Sequence, residues 1–203
     1  MIPGGLTTVL MSSASGDGGL TPSTAKALLH LEGANGSTTF TDEYENTWTR
    51  TGTPTISTAQ AKFGSASLIV SSVNENIVCG DLAVNESAWT AECFVRWSPL
   101  FTNTTIVDLF SLANVTGYGA KVQGYRSGSD FSLLKSLSSN GSSNNLANGT
   151  VSAAGTVAAD TWYHIAMTFD SVAGAYYFYK DGTLYGTVST ASEIAASVWG
   201  RVG

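Results

Sequence analysis

Three groups of residues have types and spacings that could do chemistry. Asp42, Glu43 and Glu45 stand with Asn46 in one short run after Phe40, and oxygen-rich loops of this kind suit a hard cation such as Ca2+. Trp48, beside that run, and Tyr118 and Tyr125 offer rings on which a pyranose could stack. The polar stretch 138–150, which includes Asn144 and Asn145, offers amides to its hydroxyls. Core packing is the ordinary use of such rings. The remaining reactive types are His30, His164, Cys79 and Cys93. No GxSxG elbow and no phosphate-cradling glycine loop accompany them. His164 and Cys93 both fall inside strand patterns, where a structural histidine and a small buried thiol are the ordinary readings. Two cysteines do not make a disulfide framework. Glycoside hydrolysis requires two carboxylates facing one sugar, about 5–5.5 Å or 6.5–9.5 Å apart, and Glu92 is alone on its strand. No catalytic residue is assigned, and an enzyme is not expected.

Composition narrows the partners. The chain has 203 residues, 43% apolar and 12% charged, where roughly a quarter charged is usual. Its surface is therefore made polar by Ser, Thr, Gly and Asn without ions, which suits an extracellular or particle-bound protein. The net charge is −6 and the nine basic residues are scattered, so no stripe exists to neutralise phosphates; neither nucleic acid nor an anionic membrane is an expected partner. The apolar runs fall far short of a membrane span. The first basic residue is Lys26, so a secretory signal is not expected either.

The elements that must position these residues read as strands. Residues 89–97 alternate, with Trp89, Ala91, Cys93, Val95 and Trp97 on one face and Thr90, Glu92 and Arg96 on the other. A second strand runs over 162–170, with Tyr163, Ile165, Met167 and Phe169 on one face. It is followed by a strand at 175–179, by Asp181-Gly182, and by a strand at 184–188; Asp-Gly between such runs predicts a type I′ hairpin. Shorter strands are expected at 27–31, 38–41, 47–51, 67–70, 76–79, 105–112, 118–125 and 131–137. The spacing predicts an all-β, two-sheet antiparallel sandwich over residues 26–203. The one stretch with any helical pattern is 190–197. Residues 1–25, with one charge, read by composition as an extended Gly/Ser-rich arm, although 6–11 could form a short strand.

In this order, Leu28-Leu29-His30-Leu31-Glu32-Gly33, Thr39-Phe40-Thr41-Asp42, residues 56–68 with Lys62-Phe63-Gly64, residues 89–97 and 162–169, and Tyr179-Lys180-Asp181-Gly182 resemble laminin-G-like members of the concanavalin A-like lectin/glucanase superfamily. The resemblance spans about residues 26–188 and implies a jelly-roll sandwich. It also implies Asp and Asn at the positions of Asp42 and Asn46, while the Glu-x-Asp-x-x-Glu pattern of the glucanase relatives does not occur here. Members normally continue into a final acidic strand, so the closing strand here is expected to be short or missing. That would leave an edge for residues 1–25 to fill, in cis or in trans.

The style of the sequence, a Gly/Ser-rich arm before a charge-poor domain, looks like bacteriophage virion proteins that decorate heads or tails. The function expected is therefore a structural virion surface protein. Its arm would dock on other copies or on shell or tail proteins, and its lectin-like sandwich would contact cell-surface glycans. The alternative is a stand-alone carbohydrate-binding module at an extracellular or cell surface.

Overall fold

An extended chain points successive side chains to opposite faces, so alternating sequences become strands with one buried row. The computed structural model describes residues 5–14, 25–72, 75–82, 84, 88–98, 106–113, 118–127, 130–140, 142–150, 157–190 and 199–202, and every regular element among them is a strand. In chain order these are β1 (Gly5–Ala14), β2 (Ala25–Leu29), β3 (Trp48–Thr51), β4 (Thr55–Ser57), β5 (Ser67–Ile69), β6 (Asn76–Asp81), β7 (Ala88–Arg96) and β8 (Ile106–Ala113). There follow β9 (Gly119–Ser127), β10 (Asp130–Leu137), β11 (Ala147–Thr150), β12 (Trp162–Asp170), β13 (Ala175–Lys180), β14 (Thr183–Ser189) and β15 (Trp199–Val202). They form an eight-stranded sheet, β14-β13-β12-β7-β1-β5-β4 with β2 also on β1, and a seven-stranded sheet, β11-β10-β9-β8-β15-β6-β3. The two are layers of an antiparallel sandwich of the jelly-roll kind.

The inner faces hold the rows read from the sequence. Trp89, Ala91, Cys93, Val95 and Trp97 are all buried, as are Ile165, Met167 and Phe169 beside them. In the β13–β14 turn, Asp181 and Gly182 have φ of 49° and 75°, the two positive values that a type I′ turn demands. The sheets approach closely where Trp97 meets β9: a Cβ on Gly124 would lie 2.8 Å from the Trp97 Nε1.

One expectation needs correction, and two are decided between their alternatives. Residues 5–14 are engaged in cis, because β1 pairs with β7 along one side and with β5 and β2 along the other. An extended backbone is most stable where both of its rows of amides and carbonyls find ladder partners, so this segment is already engaged in cis; residues 1–4 and 15–24 lie outside the described residues. The closing strand, expected to be short or missing, is short: β15 has four residues and fills the position between β8 and β6. Residues 38–41 are not a strand. There Phe40 is buried in the core, and the segment is tied down by bonds between Gly36 and Ile56, by Ser37 accepting from the Ile56 amide, and by a single bridge from Leu29 to Asp42. The expected helical stretch falls, apart from Thr190, outside the described residues.

The Lys62-Phe63-Gly64 motif has a local cause. Gly64 takes φ of 64° with the Glu32 carboxylate against the space where its Cβ would be, and Glu32 accepts from the Ser65 amide at 2.9 Å and from its hydroxyl. The turn sets Phe63 edge-on against Phe94, 5.0 Å between centroids. Phe94 in turn lies 4.9 Å from the His164 ring, and His164 Nε2 is 3.1 Å from Glu92 Oε2. His164 is thus a structural histidine tying β12 to β7 on the outer face of the eight-stranded sheet.

Two outcomes follow from this packing. Gly124→Ala pushes a methyl into the Trp97 indole, so it should lower unfolding stability by about 1–3 kcal/mol, read as a shift in the urea midpoint at constant slope. The hydrogen bond that His164 donates to the Glu92 carboxylate raises the His164 pKa above its ordinary value, burial opposing. A raised histidine stabilises fully below its unfolded pKa, near 6.5, and loses that contribution as pH climbs through the folded value. The stability gap between the native protein and His164→Gln should therefore be largest near pH 5.5 and shrink by roughly 0.5–1 kcal/mol by pH 9; a gap that widens with pH contradicts this assignment.

Candidate functional site

On β8, β9 and β10 the residues facing away from the core line up by register. Asp108 stands opposite Gln123, which stands opposite Leu134; Ser111 stands opposite Lys121, which stands opposite Ser136; Ile106 stands opposite Tyr125, which stands opposite Ser132. A bulge in β8 between Asp108 and Phe110 brings both Asp108 and Ser111 to this face. An unbulged strand would send one of the two into the core, since positions an odd number apart alternate.

These groups form a continuous polar row. Gln123 Nε2 donates to Asp108 Oδ1 at 2.6 Å, and Ser136 Oγ donates to Gln123 Oε1 at 2.9 Å. The two bonds fix the amide's orientation. Lys121 Nζ lies 3.6 Å from Asp108 Oδ2, with the side chains 16% and 17% exposed. Ser111 is fully buried and its Oγ has no hydrogen-bond partner among the described residues; Ser132 and Ser136 are buried as well. Polar groups this hidden on the outer face of a sheet are covered by their longer neighbours, and together they make a polar recess between the strands in which Lys121 and Gln123 lie over the serines. A buried hydroxyl left unpaired costs about 1–3 kcal/mol, and the Ser111 hydroxyl is in that state among the described residues. At one end of the recess Tyr125 is half-buried beside Ile106, which is 48% exposed.

The residues expected to bind sugar do not converge on one point. Tyr125 belongs to this recess. Tyr118 lies before the other end of β9, roughly 23 Å away at about 3.3 Å per residue, near the hairpin that joins β10 to β11, where the Ser138 amide donates to the Gly119 carbonyl. Asn145 is in that hairpin, and its amide is spent on the loop: Oδ1 accepts from the Ser139 amide and Nδ2 donates to Ser139 Oγ, each at 3.1 Å. Asn140 braces the same turn by accepting from the Ser142 and Ser143 amides. Asn144 keeps a buried Oδ1 with no partner among the described residues. Trp48 is corrected: it is 6% exposed, its Nε1 donates to Asp42 Oδ2 at 2.7 Å, and so it presents no face for stacking. It also lies on the opposite edge strand, four strand spacings from β9.

The acidic run builds a clamp. The Asp42 carboxylate accepts from the Leu28 amide, the Tyr44 amide, Asn46 Nδ2 and the Trp48 indole, so four protein donors occupy its lone pairs. Asn46 Nδ2 also donates to the Lys26 carbonyl at 2.7 Å. Glu43 turns outward to His30, 3.6 Å away, and Glu45 is exposed. Among the described residues no three His, Cys, Asp or Glu side chains gather as metal ligands. Cys79 and Cys93 are both free and buried; burial, with Asp42 adding to it, pushes the Cys79 thiol up to about 11, which leaves it unreactive.

The recess does not stand out in the sequence, although its signals are present there. Lys121, Gln123 and Tyr125 alternate with Ala120, Val122 and Gly124, and Asp108 interrupts an apolar run. The missing piece is the register that sets them side by side.

No curated protein matches this chain. Among solved structures, the botulinum neurotoxin type G receptor binding domain aligns with a TM-score of 0.45 and 14% identity, and a second structure of the serotype G binding domain aligns with 0.44 and 13%. Each alignment covers 80% of this chain and 43% of the other, so this chain spans well under half the length of those domains. A laminin G-type family profile matches residues 71–201, well over half of the sequence. With two antiparallel layers, a β-only composition and that match, the chain belongs to the concanavalin A-like lectin/glucanases superfamily.

Proposed function

We propose that this chain is a non-catalytic carbohydrate-binding module whose sugar site is the recess on β8–β10. The row Ser136–Gln123–Asp108–Lys121, with the unpartnered Ser111 hydroxyl beside it, carries the reading. A sugar hydroxyl both donates and accepts. The recess answers it with a carboxylate acceptor, an ammonium donor, a fixed amide and several hydroxyls, while Tyr125 adds a ring for the apolar face of a pyranose.

Binding without bond cleavage is favoured because Asp108 is held by Gln123 and Lys121, whereas hydrolysis needs a facing pair of carboxylates. The setting we propose is a virion surface, as a capsid-decorating or tail-associated protein contacting host glycans, or else another extracellular surface. The support is the charge-poor composition. With β1 and β15 both paired inside their own sheets, docking through an exchanged arm has no unpaired segment among the described strands, and the lectin-like role becomes the primary reading.

A glycan array followed by calorimetry on the best oligosaccharide tests this. Asp108→Ala removes a charged acceptor and should weaken binding about tenfold or more. Tyr125→Ala should weaken it severalfold, with circular dichroism unchanged in both. An array without hits, or an affinity indifferent to Asp108→Ala, would sink the proposal.

A further inference from the structure

A second constellation lies between the sheets, away from the recess, and breaks the rule that inward positions are apolar. On β10, Leu133 and Leu137 are fully buried. Lys135 shares their row, opposite Val122 of β9. Its ammonium reaches across the sandwich to lie 6.0 Å over the ring of Phe178, a fully buried residue of β13. No carboxylate among the described residues lies within 4 Å of it. On edge strand β14, Tyr185 packs against the same Phe178 ring, 6.4 Å between centroids, and its hydroxyl is buried without a hydrogen-bond partner among the described residues.

The backbone provides for both features. The β13–β14 register slips between Phe178 and Tyr179, where Gly186 faces Phe178 and Leu184 faces Tyr179. Tyr185 is therefore the extra residue of a bulge, the device that re-aims a side chain. On the other sheet, edge strand β11 places Gly149 opposite Lys135, and a Cβ built there would meet nothing within 4 Å. Beside the lysine, on the margin formed by edge strand β11, the described residues leave that position uncrowded.

Two donors thus flank one apolar ring with no acceptor supplied by the described residues. Burial disfavours the charged form of Lys135 and the ionised form of Tyr185, so each group gains from an external acceptor. We propose that this margin binds a small organic carboxylate with an apolar tail. Its oxygens would accept from the Lys135 ammonium and the Tyr185 hydroxyl, and its tail would lie along Phe178 and the leucine row of β10. This site is independent of the sugar reading and stands or falls without it.

Octanoate titrated by calorimetry into the intact protein is the direct probe, with octanol as the uncharged control. The expected result is saturable binding of one octanoate per chain, with octanol at least tenfold weaker. Lys135→Met keeps the stem and removes the charge, and should lower octanoate affinity at least tenfold. Tyr185→Phe deletes only the hydroxyl and should lower it severalfold. Near-ultraviolet circular dichroism of Tyr185→Phe reports on folding, so a loss of affinity with an unchanged spectrum supports the site. No saturable octanoate binding by the native protein, or equal affinity in Lys135→Met, overturns it.

Discussion

The sandwich depends on two backbone ladders that segments from opposite ends of the sequence complete. β1 occupies an interior position beside β7, with β5 and β2 on its other side, and β15 lies between β8 and β6. Without either strand, two neighbours would each present a row of unpaired amides and carbonyls next to a buried core. Such groups are nearly always paired in folded proteins because desolvating them without partners is costly. The inner rows on β7 and β8 are held in place by these pairings, and everything the outer faces carry is positioned by them in turn.

Function on this scaffold sits where the alternation of apolar and polar positions is bent or broken. The β8 bulge turns Asp108 and Ser111 to one face and so assembles the recess with Lys121, Gln123 and Ser136. The β14 bulge presents Tyr185 toward Phe178, across from an inward lysine. In both places a strand gives up one ladder bond and gains a side-chain direction that a regular strand does not offer. Elsewhere buried carboxylates do structural work. Asp42 gathers four donors around the entry to β3, and Glu75 accepts from the amides and hydroxyls of Thr53 and Ser71. Burial raises the Glu75 pKa, but those bonds outweigh it and hold the carboxyl below its ordinary range.

Two acidic sites of similar residue type are thus used differently. The run from Asp42 to Asn46 has the composition of a cation loop, yet its one buried carboxylate is turned inward to bind the chain itself. Asp108 has no acidic neighbour in sequence and acquires its partners from the adjacent strand, β9. The difference is reach: Asp42 finds Tyr44, Asn46 and Trp48 within a few residues, whereas Asp108 needs Lys121 and Gln123 brought alongside.

Local physics makes much of the fold legible in the residues alone. Two-residue periodicity marks β7 and β12 with their buried rows, and Asp181-Gly182 marks the hairpin, because pleating and turn geometry act between residues close in sequence. The same signals do not place β1 or β15, reveal the bulges, or show that Trp48 is buried while Tyr125 edges a recess. Those outcomes rest on which strand lies beside which and in what register, and that choice is made among segments far apart in the chain by the burial they achieve together. The composition and the strand rows are written in the sequence; the recess and the Lys135 margin exist only because the sheets close as they do.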